Sequence, residues 1–188
     1  MTRIKLLTLN LATSSDAART DTRKGTDMEL NTEKMIGEKE GGIGWMTFNN
    51  PERRNAMALE MWEAVETILD EFESNNEIKV IVMKGAGDKA FVSGADISEF
   101  KERRNNAEAA AEYARISEGA RARLMAVKKP LIAMIQGYCL GGGMAVAMAA
   151  DMRFASDDSQ FGIPAARLSI AYGFDGLHKL VHLVGPVM

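Results

Sequence analysis

The sequence predicts an α/β fold, because short apolar strands alternate with amphipathic helices along one chain. With 188 residues, 46% of them hydrophobic and 26% charged, the chain can bury the core of one globular domain. Apolar residues recur at three- and four-residue steps over 57–73, which predicts a helix. A short apolar, β-branched run at 78–83 and a short apolar run at 131–136, bounded by glycine or proline, predict buried strands.

The first 27 residues differ in composition from the rest. Residues 12–27 are rich in threonine, serine and aspartate and show neither apolar period, so we expect a flexible leader over 1–27 and a folded domain over 28–188. The basic and hydroxyl residues of the leader leave a mitochondrial transit peptide open, although its aspartates oppose this. We expect a cytoplasmic protein, with the mitochondrial matrix as the alternative location.

The domain opens with a predicted hairpin and continues as strands followed by helices. The hairpin strands are expected at about 29–36 and 43–48, joined through the glycines of 37–42. Pro130 separates the second helix from the strand after it, since proline cannot continue a helix. The later elements are expected as the strand 78–83, the helix 107–127, the strand 131–136, the helix 144–150, the strands 152–155 and 160–162, and a helix after Asp175.

Charge and cysteine content argue against several functions. The net charge of −3 and the pI near 5.5 provide no basic field for nucleic acid. No apolar run approaches the ~20 residues of a membrane helix, so we expect neither nucleic acid nor membrane as a partner. Cys139 is the single cysteine, so no internal disulfide can form, and we interpret it as a buried core residue rather than a nucleophile.

Two segments rich in small residues carry the strongest functional signal. Segment 90–97 (Ala-Phe-Val-Ser-Gly-Ala-Asp-Ile) and segment 137–143 (Gly-Tyr-Cys-Leu-Gly-Gly-Gly) each follow or contain a predicted strand. Glycines there allow a ligand to approach the backbone. The N–H groups of Ala95 and Gly142 are the natural donors of an oxyanion hole, which stabilises a developing enolate or tetrahedral oxyanion. The alternative is two tight turns that merely pack together.

These segments, together with Asn-Asn-Pro-Glu-Arg-Arg-Asn-Ala-Met at 49–57, resemble the crotonase (enoyl-CoA hydratase/isomerase) superfamily over residues 28–188. The resemblance implies a ββα spiral, here lacking the family's C-terminal helical region, so the chain is expected to be C-terminally incomplete. It implies an acyl-CoA thioester as substrate, with coenzyme A as part of the substrate and no tightly bound cofactor, and a role in fatty acid metabolism. It also implies a homotrimer or a dimer of trimers once the C-terminal region is present. The substrate-binding residues it implies are Arg54, Ala56, Ser93, Ala95, Asp96, Ile97, Ser98 and Gly142.

The chain departs from the family at two positions that matter for hydration. Hydratases of the superfamily carry two glutamates that hold and polarise the added water, and the corresponding residues here are Ala145 and Ala165. Alanine cannot transfer a proton, and each lost acid or base is worth on the order of 10²–10⁴ in rate. Two-glutamate hydration is therefore not expected, whereas thioester binding and enolate stabilisation are unaffected.

Several other polar residues are weaker candidates. Asp175 is a candidate acid or base, although we favour it as the N-cap of a helix over 176–184. Asp96 is expected to cap nearby N–H groups at its turn. His178 and His182 have a helical i, i+4 spacing but no third ligand nearby in sequence, so no metal site is expected. Three further candidates are Glu99, Arg167 and Tyr172.

The sequence thus predicts an acyl-CoA-processing enzyme of the enoyl-CoA hydratase/isomerase family, a lyase or an isomerase. The alternative is a catalytically silent subunit that binds acyl-CoA or serves in assembly. Turnover of an acyl-CoA distinguishes the two.

Overall fold

The computed structural model describes residues 26–99, 106–169 and 171–186. The elements alternate as the apolar pattern predicts. The strands are β1 (Thr26–Asp27), β2 (Met35–Glu40), β3 (Ile43–Phe48), β4 (Val80–Gly85), β5 (Ala90–Val92), β6 (Leu131–Ile135), β7 (Tyr138–Leu140), β8 (Met152–Ala155) and β9 (Gln160–Gly162). The helices are α1 (Leu59–Ser74), α2 (Ala107–Ala126), α3 (Gly142–Ala149) and α4 (Phe174–Val184), with short 3-10 helices at Pro51–Arg53, Ile97–Glu99 and Pro164–Leu168.

The described strands form two sheets. Within the described ranges, a six-stranded sheet has the order β1-β2-β3-β4-β6-β8, antiparallel as far as β3 and parallel beyond it, and a three-stranded parallel sheet has the order β5-β7-β9. In the pairs β4–β5, β6–β7 and β8–β9, the first strand lies in the large sheet and the second in the small one, whereas β2 and β3 both lie in the large sheet. Parallel neighbours need a crossover connection, and α1, α2 and α3 lie in the connections β3–β4, β4–β6 and β6–β8. The predicted ββα spiral is confirmed.

The opening hairpin is displaced from its predicted position. Its first strand is β2, not 29–36, because the turn consists of Gly41 and Gly42 alone, with φ of +54° and +89°. Positive φ at both central residues is the signature of a two-residue type I′ hairpin turn, and glycine adopts this conformation without strain. Two residues assigned to the leader, Thr26 and Asp27, pair with β2 as β1. Residues 1–25 lie outside the described residues.

Helix α1 packs one apolar face into the core, and other elements complete both of its ends. Its N-cap residue, Ala58, has no polar side chain, so the carboxylate of Glu99 accepts the Leu59 N–H at 3.0 Å. At the other end, the ammonium of Lys129 donates to two carbonyls of the last turn and cap. These bonds satisfy backbone groups that a helix leaves unpaired. The buried residues of α1 are Met61, Trp62, Ala64, Val65, Ile68, Leu69 and Phe72.

Strand β8 and helix α4 leave apolar side chains at the surface. Phe154 of β8 is 60% exposed, and Phe174 and Val184 of α4 are 77% and 72% exposed. Exposed apolar area of this kind commonly marks an interaction surface. Across the described ranges, none of the helices has both the length and the apolar composition needed to cross a membrane.

The Asn55 side chain joins two loops that border the candidate site. It is fully buried, its Oδ1 accepts the Asn50 N–H at 2.9 Å, and its Nδ2 donates to the carbonyls of Ala86 and Ala90 at 3.0 and 2.7 Å. Its backbone has a φ of +55°, a conformation that asparagine tolerates better than most residues. The side chain thereby holds the loop around 50–56 against the loop 86–90.

Replacing Asn55 with alanine should lower the free energy of unfolding by about 3 kcal/mol, because each buried backbone group left unpaired costs roughly 1–3 kcal/mol. The matched control is Asn76→Ala at an exposed position, which should change the free energy of unfolding by less than about 0.5 kcal/mol. Urea unfolding curves measure both variants. A loss below about 1 kcal/mol for Asn55→Ala would show that other contacts hold these loops.

Candidate active site

Two backbone segments lie side by side where β5 ends. The Ser93 N–H donates to the Arg54 carbonyl at 3.1 Å, and the Met57 N–H donates to the Gly94 carbonyl at 2.8 Å. The Asp96 N–H then donates to the Met57 carbonyl at 2.9 Å, so that Met57 and Ala95 form a parallel bridge. In a parallel bridge, the residue that lies between the two hydrogen bonds, here Ala95, directs its own N–H and C=O away from the partner segment. The Ala95 N–H therefore faces away from Met57.

Gly142 is the first residue of α3 and lies against this turn. Helix α3 begins two residues earlier than predicted, and its N-cap is Gly141, with φ of +50°. A methyl group added at Gly142 would lie 3.6 Å from the Ala95 nitrogen, in ordinary van der Waals contact. The first N–H groups of a helix have no partner within it. Within the part of the chain that the structure describes, neither the Ala95 nor the Gly142 N–H has an acceptor.

Both residues line one cavity of about 290 Å³. Its opposite wall is formed by α1 and α2, which contribute apolar, hydroxyl and charged side chains. Two N–H groups that have no acceptor among the described residues therefore belong to residues on the wall of one cavity. The other side chains of the wall include Trp62, Tyr113, Ser117, Glu118 and Arg121.

A second cavity, of about 410 Å³, adjoins the first through Gly142, Glu118 and Arg121. Asp175 lines it from α4, together with Ala145 of α3. The prediction that Asp175 caps this helix is wrong: α4 begins at Phe174 with Gly173 as its N-cap, and no side chain caps it. Asp175 lies in the first turn, exposed, and its carboxylate is left available to the cavity.

The alanines at the two glutamate positions line different cavities. Ala145 is half-buried in the 410 Å³ cavity, whereas Ala165 is buried in an apolar cavity of about 980 Å³ between α3, α4 and the β8–β9 region. The two cavities share Met148 and Tyr172 as a common wall. A carboxylate at 145 would face the space beside Gly142, and one at 165 would enter an apolar environment.

The remaining predicted substrate-binding residues lie close to the paired segments, and several are used by the fold. The Arg54 guanidinium lies over the Tyr138 ring, 5.1 Å from its centroid, and lines a separate cavity of about 280 Å³ with Lys89. Ala56 is buried, and its carbonyl accepts the Asn50 side chain. The Ser93 hydroxyl is bonded to a backbone carbonyl at 3.2 Å.

The turn after Ala95 is held by Asp96. This carboxylate is buried and accepts both the N–H and the hydroxyl of Ser98, at 3.0 and 2.5 Å. The capping role predicted for Asp96 matches these bonds, since an aspartate that binds the N–H two residues on stabilises a turn. Ile97, between them, is 56% exposed.

Sequence reasoning missed Glu118 and Arg121, which line both cavities that contain Gly142. The buried stripe of α2 consists of Tyr113, Ser117, Ala120 and Leu124, and the two charged residues flank it. A serine inside an apolar stripe was the available signal that this face of the helix meets a polar space. Which flank meets Gly142 depends on how α2 packs, and no local pattern reveals that.

Two other candidates have ordinary structural environments. Cys139 is buried, and burial raises the pKa of its thiol to about 12, so it stays protonated. The rings of His178 and His182 lie 4.2 Å apart on α4, and the His182 ring contacts the His178 carbonyl. Among the described residues, no group of three metal-ligating side chains lies together.

The sequence is similar to known proteins across most of its length. The sequence model of the Enoyl-CoA hydratase/isomerase family matches residues 38–188. The short-chain-enoyl-CoA hydratase of Clostridium acetobutylicum is 39% identical over 161 residues, which cover 86% of this chain and 60% of the relative. The crotonyl-CoA hydratase of Syntrophomonas wolfei is 36% identical, covering 83% of this chain and 59% of the relative.

Solved structures show the same architecture. The crystal structure of an enoyl-CoA hydratase/carnithine racemase from Magnetospirillum magneticum aligns with a TM-score of 0.77 at 34% identity, covering 82% of this chain and 58% of that chain. The chain thus spans about three-fifths of the length of these relatives. Fold, sequence and family match agree, and the chain belongs to the enoyl-CoA hydratase/isomerase family.

Proposed function

We propose that this protein binds an acyl-CoA thioester and stabilises its enolate in an oxyanion hole formed by the N–H groups of Ala95 and Gly142. The observation that carries the proposal is the pair of unpaired N–H groups on the wall of one cavity. Coenzyme A enters as part of the substrate, and no tightly bound cofactor is needed. The names of the relatives, short-chain-enoyl-CoA hydratase and crotonyl-CoA hydratase, support a short acyl chain.

The chemistry follows from where charge develops. When a base removes a proton from the carbon next to the thioester carbonyl, the electrons of that C–H bond form a C=C bond and the carbonyl oxygen becomes negative. Preorganised N–H donors stabilise that oxygen more than they stabilise the neutral carbonyl, and so lower the barrier. Return of a proton to the same carbon completes exchange. In a β,γ-unsaturated acyl chain the enolate is conjugated with the C=C bond, so a proton can instead add at the γ-carbon, which shifts the double bond and completes isomerisation.

Asp175 is our proposed acid and base for this step. It is exposed on α4, does not cap that helix, and lines the cavity that also contains Gly142. Ala145 and Ala165 offer no proton-transfer group, which favours isomerisation over two-glutamate hydration. If Asp175→Asn retained full turnover, the proton-transfer role would have to belong to another group.

The same alanines also favour a second candidate, a catalytically silent subunit that binds acyl-CoA or serves in assembly. Exchange of the α-protons of butanoyl-CoA in deuterated water separates the two candidates, because enolate formation is required for exchange. An enzyme makes butanoyl-CoA take up deuterium faster than it does in buffer alone. A silent subunit leaves that rate unchanged.

Gly142→Pro should slow this exchange by about 10²–10³-fold, the usual cost of losing one oxyanion donor. Gly142 is the first residue of α3, where proline is tolerated because that N–H has no helical partner. The comparison variant is Gly142→Ala, which keeps the N–H and places its methyl in ordinary contact. Circular dichroism checks the fold of both. Equal exchange rates for the proline and alanine variants would remove Gly142 as a donor.

Hydration of crotonyl-CoA by the unmodified protein should be slow, because nothing at the two glutamate positions can activate water. Ala145→Glu should raise the rate at least about tenfold, since position 145 faces the cavity beside Gly142 and an acid or base contributes 10²–10⁴. Ala145→Gln is the matched control, with similar volume and no proton to transfer. Loss of the conjugated thioester absorbance measures all three proteins. Rapid hydration by the unmodified protein would restore an ordinary hydratase assignment.

A further inference from the structure

The Tyr172 side chain lines both the cavity that contains Ala145 and the cavity that contains Ala165. It is half-buried, and its hydroxyl donates to the Gly141 carbonyl at 3.2 Å. Its ring rests on Gly176 of α4, where an added methyl group would lie 2.5 Å from the ring carbon Cε1. The absence of a side chain at 176 therefore makes room for this ring position, and the ring position in turn allows the hydroxyl to reach Gly141.

The carbonyl that Tyr172 contacts belongs to the same peptide unit as the Gly142 N–H. Every peptide bond in the described ranges is trans, and in a planar trans peptide the C=O and N–H bonds point in opposite directions. A group that holds the Gly141 carbonyl therefore also sets the direction of the Gly142 N–H.

This peptide unit particularly needs an anchor. It is flanked by glycine on both sides, and Gly141 has φ +50° and ψ −111°, a region that other residues rarely enter. Unrestrained glycine could rotate the peptide and turn the N–H away from the cavity. The N–H groups of Met144 and Ala145 also reach the Gly141 carbonyl, at 3.1 and 3.4 Å, and the phenol adds a side-chain donor from a different element of the fold.

The phenol also acts on the strength of the donor. A hydrogen bond to a carbonyl oxygen polarises the amide and strengthens its N–H as a donor. Burial raises the pKa of the Tyr172 hydroxyl above its ordinary value, an effect that the Arg121 guanidinium partly offsets. The hydroxyl therefore remains protonated and able to donate at neutral pH.

We propose that Tyr172 is a positioning residue that aims and polarises the Gly142 N–H by holding the carbonyl of the same peptide. This inference rests on the proposed function, because it assigns Tyr172 a role through the oxyanion donor rather than by contact with the substrate.

The test compares the thioester carbonyl band of bound butanoyl-CoA in the unmodified protein and in Tyr172→Phe. Difference infrared spectra of ¹²C- and ¹³C-carbonyl butanoyl-CoA isolate the band, which moves to lower wavenumber as hydrogen bonds to the oxygen strengthen. We expect a shift in the unmodified protein that is partly lost in Tyr172→Phe. We also expect butanoyl-CoA to bind about 3- to 10-fold more weakly to the variant, while free CoA binds equally to both. The control is Tyr138→Phe, which removes a hydroxyl that has no hydrogen-bond partner in the described part of the chain.

Gly176→Ala provides an independent variant that keeps the hydroxyl. Its methyl group must displace the Tyr172 ring, so we expect the same partial loss of the band shift. Alanine favours helix formation over glycine, so we expect α4 to be no less stable. A full band shift in folded Tyr172→Phe would overturn the role of Tyr172 and leave the proposed function standing. No shift in the unmodified protein would instead contradict the oxyanion hole itself, and the role of Tyr172 with it.

Discussion

Three backbone hydrogen bonds between residues 54–57 and 93–96 hold the candidate site together. They use the N–H groups of Ser93, Met57 and Asp96 and leave the Ala95 N–H facing the other side. A one-residue slip in this pairing would turn the Ala95 N–H inwards. Asn55, through its bonds to the loop 86–90, and Asp96, through its bonds to Ser98, both stabilise the register on which the site depends.

The site also carries an energetic cost that suggests a ligand. A buried or half-buried N–H without a partner forfeits a hydrogen bond that it would make in water. The fold satisfies the N–H of Leu59 with a distant carboxylate and that of Gly141 with the Gly162 carbonyl. The adjacent N–H groups of Ala95 and Gly142 have no such acceptor in the described residues, and both lie on a cavity wall. A ligand oxygen or a water molecule can accept them there.

The sequence predicted the parts of this fold that local patterns control. The apolar spacing of α1 and the β-branched run of β4 identified their elements, and the small residues around Gly94 and Gly142 identified the turns that meet. The hairpin was misplaced because six residues containing several glycines offered more than one turn, and only the φ values of Gly41 and Gly42 decide between them. Asp175 was misassigned as a cap because Gly173, with no side chain to signal it, begins the helix. Ser117 signals a polar face on α2, but no local pattern shows that Glu118 and Arg121 meet Gly142 or that Tyr172 contacts Gly141, because these contacts depend on tertiary packing.

The central claim is that the protein recognises the thioester oxygen itself. Calorimetric titration with butanoyl-CoA and with S-butyl-CoA tests this most directly, because the two ligands share the nucleotide and the chain length and differ in the carbonyl oxygen. Two hydrogen bonds at about 0.5–1.5 kcal/mol each predict that butanoyl-CoA binds about tenfold more tightly, or more. Equal affinity for the two ligands would contradict the account, because donors that face a thioester oxygen must distinguish a ligand that has it from one that lacks it.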